Sequence, residues 1–170
     1  MSFFNEVRLM KKKVKTNALR ILDQKHIKYE MKEYEYDEDH LSGDHVLKQV
    51  DLNENEVYKT IVLKANKDFI VCCIPVLEEI DLKKLAKLSG YKSVEMLHQK
   101  DLLSVSGYVR GGCSPIGMKK KLKTYFHGDI LNVEKVAVSA GKRGLQVILK
   151  PQDLIACVEG VCGDVIRITQ

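Results

Sequence analysis

GYVRGGCSPIG, residues 107–117, gathers four glycines, a proline, a cysteine and a serine within eleven positions. Glycines allow positive φ and let main-chain N–H groups approach a ligand with no Cβ in the way, while Pro115 fixes one φ in the middle. The segment reads as a pocket wall of main chain able to hold an oxyanion or a phosphate. A tight helix-to-strand connection would need the same composition. The stretch matches neither phosphate-loop pattern: Lys119 follows Gly117 only after Met118, and G-x-G-x-x-G is absent. A second chemical group stands at Lys59. In a strand it shares a face with Val57, Ile61 and Leu63, which sets an ammonium on an apolar face. It either snorkels from the strand end or serves as a pocket cation for a carboxylate, phosphate or developing oxyanion. VSAGKRG (138–144) supplies the third feature: Ser139 ends a strand, Gly141 to Gly144 reverse the chain, and Lys142 and Arg143 carry charge to the turn.

The thiols carry less. Cys113 beside Ser114 suggests a nucleophile, yet none of the five histidines is paired with it by position. The adjacent Cys72 and Cys73 lie in an apolar run and read as small core residues, and the five cysteines contain no C-x-x-C pair, which argues against a disulfide framework or a zinc site.

The whole chain bounds the chemistry. Its 170 residues, 45% apolar, suit one domain. A formal charge of +5, from 28 basic and 23 acidic residues, suits contact with a polyanion, and KKKVK (11–15) and MKKKLK (118–123) are runs that would meet one. No run approaches the ~20 apolar residues that cross a bilayer, and the N-terminus lacks an apolar signal region, so a cytoplasmic protein without membrane contact is expected. Residues 1–13 read as a flexible extension and residues 14–170 as the domain.

Positioning these groups requires many short elements. Val14, Ala18, Leu19 and Leu22 recur at helical spacing, and Tyr29–Tyr36 reads as a strand with a bulge near Glu33. A short helix follows from Ser42 to Val50, then strands at 57–64 and 69–76 joined by the turn ANKD. Asp81 caps a helix that stops at Gly90; YKSVEML is read as a strand and HQKDLL as a short helix. Beyond the glycine stretch come strands at KTYFH, KVAVSA and LQVILK, a helix begun by Pro151, and a last strand at VIRIT. Frequent short loops favour mostly antiparallel pairing. The expected class is mixed α/β, one compact domain whose partly barrel-like sheet is flanked by helices.

Taken in order and spacing, VYKT (57–60), GYVRGGCSPIG (107–117) and VSAGKRGL (138–145) closely resemble the YbaK/EbsC family of bacterial Cys-tRNA(Pro) deacylases. DLNENEVYKT (51–60), KEYEYD (32–37) and IDLKKLAKLSGYKSVEML (80–97) agree, so the resemblance spans about residues 14–170. It implies a trans-acting editing enzyme, related to the editing insertion of prolyl-tRNA synthetase, that clears cysteine from Cys-tRNA(Pro), with Cys-tRNA(Cys) as a further substrate. It implies no cofactor and no metal. The partners implied are the acceptor end of aminoacyl-tRNA and prolyl-tRNA synthetase, not DNA. Carried over by residue, it places the pocket lysine at Lys59, followed by Thr60, the first-strand tyrosine at Tyr34, the glycine-loop backbone at Gly111 and Gly112, and the serine before the hairpin at Ser139. Ser114, Pro115, Gly141 and Arg143 complete the expected substrate-binding set. The family chemistry uses the thiol of the cysteinyl substrate itself, so Cys113 has no required role; where some relatives carry an acid in the last hairpin, this chain has Gln146. A non-catalytic tRNA- or synthetase-binding module and a thiol redox protein are the alternative classes.

Overall fold

The computed structural model describes residues 15–41 and 43–168; the expected extension over 1–13, and Ser42, lie outside them. In chain order the elements are α1 (Asn17–Gln24), β1 (Tyr29–Glu33), α2 (Gly43–Gln49), β2 (Tyr58–Ala65), β3 (Asp68–Pro75), α3 (Leu82–Ser89), β4 (Glu95–Met96), α4 (Leu102–Ser106), β5 (Lys123–His127), β6 (Val136–Lys142), β7 (Leu145–Leu149), α5 (Pro151–Val158) and β8 (Val161–Gly163). Short 3-10 turns precede α4 and follow β5.

Local chemistry explains the boundaries. The Thr16 hydroxyl oxygen accepts from the Leu19 N–H at the start of α1 and donates to the Ala140 carbonyl, which ties the helix to β6. Asp81 caps α3 by accepting from the Lys84 N–H, and Gly90 ends it in the left-handed conformation at φ 80°. Pro151 occupies the first turn of α5, where its missing N–H costs nothing.

Two sheets form. One has the order β1-β7-β6 and is wholly antiparallel; the other has the order β4-β2-β3-β5-β8 and is mixed. The β2–β3 hairpin turns at Asn66 with φ 57°, at the expected ANKD. Antiparallel pairs predominate, but β3–β5 and β5–β8 are parallel, since α3 and α4 lie between β3 and β5 and α5 lies between β5 and β8. The sheets meet at one parallel bridge, Val57 to Ala137, and do not close into a barrel.

Three sequence expectations change. No bulge interrupts β1, which ends at Glu33; the Tyr34 N–H still reaches the Gly144 carbonyl at 2.9 Å, so the pairing direction persists without regular strand. YKSVEML contributes only the exposed pair Glu95–Met96 at a sheet edge. The last strand is Val161–Gly163 rather than VIRIT, whose Ile166 makes a lone bridge to Ile80. Gly163 masks that strand in sequence, because a residue that disfavours strands is needed where a Cβ would come 2.7 Å from the Leu88 side chain.

Burial divides about the five-stranded sheet. On one side Leu19, Leu22, Val71, Cys73, Phe126, Val138, Val147 and Leu154 pack together; on the other, Leu63, Ile70, Cys72, Ile74, Leu85 and Val165. Adjacent Cys72 and Cys73 thus face opposite clusters, as strand alternation demands. A third, small cluster of Val46, Val50, Val57, Val76 and Ala137 fills the seam beneath α2. Each large side chain buried here contributes ~1.5–3 kcal/mol of transfer free energy.

Candidate active site

The seam creates the site. Strand β2 pairs with β3 along its full length but with β4 only at Leu63 and Lys64, and it touches β6 through the Val57 bridge. Among the described residues the edge at Thr60 and Ile61 between those contacts faces no strand. The Val76 N–H donates to the Val57 carbonyl, so by ladder alternation Val57 and Lys59 spend their main chain on β3, Tyr58 turns its main chain toward the bridge with β6, and Thr60 turns its own to the open edge. Loop 107–117 and α2 flank this opening, leaving a cavity of about 480 Å³ lined by Tyr34, Val57, Lys59, Thr60, Val76, Arg110, Gly111, Cys113, Ser139 and Gln146, among others.

Lys59 is half-buried within this lining and has no ion-pair partner among the described residues. Burial pulls its pKa below the ordinary lysine value, opposed by the carboxylates of Glu79 and Glu78, which favour the ammonium. Val57, Ile61 and Leu63 share its face, as the alternation predicts. The cation therefore has apolar neighbours and an open coordination sphere.

The loop is held from behind. The Tyr108 hydroxyl donates to the Ile116 carbonyl across the loop, and the Ser106 hydroxyl oxygen accepts from the Tyr108 N–H at 3.0 Å. Ser114 is buried, its Oγ accepting from the Ile116 N–H, and Pro115 is buried beside it. Gly111 adopts φ 84°, which a side chain would oppose, and it lines the cavity. Gly112 is needed for close approach: a Cβ there would come within 3.0 Å of the Arg143 main-chain nitrogen. Its own N–H is spent on the Val109 carbonyl, whereas the N–H groups of Gly111, Cys113 and Ser114 have no hydrogen-bond partner among the described residues. The donors available to an oxyanion therefore flank Gly112 rather than include it.

The hairpin supplies the opposite wall. In β6 the register shifts between Ser139 and Lys142, and the Gly141 N–H donates to the Ser139 Oγ at 3.2 Å, leaving the hydroxyl proton free to donate elsewhere. Arg143 Nε donates to the Arg110 carbonyl at 2.8 Å, fastening hairpin to glycine loop. Of the ten site residues expected from sequence, Tyr34, Lys59, Thr60, Gly111 and Ser139 line the cavity, and Gly112, Ser114, Pro115, Gly141 and Arg143 stand behind it as supports. Gln146, noted from the sequence only as an amide where some relatives carry an acid and given no role there, joins them. It lies opposite Ser139 in the β6–β7 ladder, lines the cavity, is 5% exposed, and its Oε1 is buried without a partner among the described residues. Cys113 lines the cavity too, but burial pushes its thiol up to about 12. At neutral pH it is a thiol, not a nucleophilic thiolate.

A family model and a curated relative point to one family. The family model for the aminoacyl-tRNA editing domain matches residues 41–157. Over 147 residues, 86% of this chain and 90% of the relative, the sequence is 46% identical to a candidate Cys-tRNA(Pro)/Cys-tRNA(Cys) deacylase, EbsC, of Enterococcus faecalis. A crystal structure of a candidate trans-editing enzyme for prolyl-tRNA synthetase superposes with TM-score 0.76 at 18% identity, covering 89% of this chain and 96% of that one. The crystal structure of a hypothetical protein gives TM-score 0.81 at 16% identity, covering 89% and 100%. These two likenesses concern the fold.

Proposed function

The chain belongs to the aminoacyl-tRNA editing domain family, and from that premise we propose that it deacylates cysteinyl-tRNA in trans, with Cys-tRNA(Pro) as the principal substrate and Cys-tRNA(Cys) as a second. The observation that carries this reading is an unpaired, half-buried ammonium at Lys59 sharing a cavity with uncommitted main-chain N–H groups, where the cavity's own thiol is held protonated. Such a site is equipped to stabilise charge on an ester oxygen and is poorly equipped to attack the ester. The attacking sulfur then belongs to the substrate.

In the proposed step the cysteinyl thiol gives up its proton and attacks its own ester carbonyl. A C–S bond forms, the C–O bond to the ribose breaks, and the departing ribose oxygen takes up a proton in place of the one the thiol lost, releasing a cyclic thiolactone and free tRNA. Intramolecular attack already enjoys a high effective concentration, so the protein's task is to hold the ester and its charge. Lys59 and the N–H groups of Gly111 and Cys113 face the carbonyl oxygen. Ser139 and Gln146 hold the α-ammonium through oxygen acceptors, and Tyr34 and Thr60 bound the side-chain space. Gly112, Pro115, Gly141 and Arg143 keep the walls at their spacing. The protein works in the cytoplasm beside prolyl-tRNA synthetase, whose errors it clears.

Replacing one substrate atom tests this. Ser-tRNA(Pro), with oxygen in place of sulfur, should be cleaved at least ~100-fold more slowly than Cys-tRNA(Pro), because the hydroxyl is the weaker nucleophile. Equal rates would transfer the attack to water or to the protein.

A further inference from the structure

We propose that a basic bank beside the cavity mouth is the track for the single-stranded 3′ end of the RNA, with Arg110, Lys119, Lys120, Lys142 and Arg143 meeting successive phosphates while the terminal ester enters the cavity. The inference rests on the deacylase reading and deepens it by naming the surface that holds the nucleic acid.

The first support is charge left uncompensated. Arg110, Lys119, Lys120 and Lys142 are exposed, Arg143 is partly so, and none of the five has an ion pair among the described residues. Three other lysines do have acidic partners: Lys84 pairs with Asp164, Lys15 with Asp23 and Lys121 with Glu159. Cations gathered along two adjoining loops without ion-pair partners repel one another, and a polyanion relieves that repulsion.

The second support is continuity with the cavity. Arg110 lines it, and Arg143 is fastened to the Arg110 carbonyl. The Lys142 main chain lies against Gly112, 3.1 Å from where a Cβ would be. Lys119 donates its N–H to the Ser106 carbonyl, and its Cβ is 3.3 Å from the corresponding point on Gly107. Arg110 is three residues along the chain from Gly107, so chain geometry alone keeps Lys119 within ~15 Å of Arg110. That span suits a few extended nucleotides.

The third support is the opposite bank. Glu33, Glu35, Asp37, Glu38 and Asp39 are all exposed along the segment whose Tyr36 ring lies 3.0 Å from the Cβ position of Gly144. Acid lines one side of the hairpin and base the other. An RNA strand leaving the cavity is repelled from the first and drawn along the second.

The test uses the full chain and two cysteinyl esters, one on tRNA(Pro) and one on adenosine alone. Reversing two charges as Lys119→Glu with Lys120→Glu should lower kcat/KM on the tRNA at least ~10-fold and reduce the slope of log affinity against log salt by about 1–2, near 0.7 for each lost single-strand contact. Cleavage of the adenosine ester should stay within about twofold. A matched reversal on α3, Lys83→Glu with Lys87→Glu, changes net charge equally and should leave the tRNA reaction nearly unchanged. The track is overturned if the first double variant leaves the tRNA reaction intact, if it slows both esters alike, or if the α3 reversal does as much. A wild type that cleaves neither ester overturns the deacylase reading instead; binding of uncharged tRNA then decides the track, which fails if the Lys119 and Lys120 reversal does not weaken it.

Discussion

Lys59 combines a cost in stability with the role proposed for it in the chemistry. Burial lowers its pKa from 10.5, so in the folded state charging the amine is penalised. Between the folded value and 10.5 the unfolded chain holds the extra proton, and stability rises with pH across that window; below it the whole penalty is present. Lys59→Met should therefore raise the melting temperature near neutral pH, and its advantage over the wild type should shrink as pH approaches 10.5. Thermal melts of both proteins from pH 7 to 10 check this, and a methionine variant less stable at pH 7 would contradict it. Cys113→Ala should keep deacylation within about threefold, because a thiol pushed up to about 12 supplies no thiolate at working pH; single-turnover rates decide. Lys59 was legible in the sequence, since strand alternation alone sets a cation among Val57, Ile61 and Leu63. Gln146 was visible only as a departure from the acid of some relatives; its place in the cavity is marked by a buried oxygen without a partner among the described residues, a property of the packed hairpin.

At the scale of elements, two backbone segments that meet without side chains define the site. Gly112 and the Lys142–Arg143 turn touch main chain to main chain. Gly112→Ala should move the hairpin, costing about 1–3 kcal/mol by overpacking and lowering activity up to ~100-fold through misplacement of the wall. Gly90→Ala is the opposite case: its φ of 80° opposes a side chain, as the backbone of Gly112 does not, but nothing lies within 4 Å, so it should cost about 1 kcal/mol and leave the rate unchanged. Denaturant melts with rates on the same preparations separate the two effects. The glycine clusters announced close approach, but what they approach was outside the reach of a linear reading. Hairpins and capped helices were readable because Asn66, Asp81, Gly90 and Pro151 act on their immediate neighbours. β8 was not, because its pairing partner β5 lies more than thirty residues earlier and its Gly163 is chosen by Leu88.

For the whole molecule, the cavity exists because two sheets join at one bridge and then diverge, leaving the start of β2 with a free edge. Both main clusters pack against the five-stranded sheet, so the floor beneath Lys59 is rigid on both faces. The order of strands in each sheet was not visible in the sequence, since local patterning fixes what an element is and not which distant element it meets. A cation without an ion-pair partner among the described residues, beside open N–H groups on such a floor, suits the proposed reaction, in which the nucleophile arrives with the substrate.

The most direct measurement is single-turnover deacylation of Cys-tRNA(Pro), Ala-tRNA(Pro) and Pro-tRNA(Pro) by the wild type and Lys59→Ala, with folding of the variant checked by its melt. The account predicts rapid loss of cysteine alone and a fall of at least ~100-fold in the variant, the scale of removing a principal oxyanion contact. Cysteine release by Lys59→Ala at the wild-type rate, or survival of all three esters with the wild type, would contradict it.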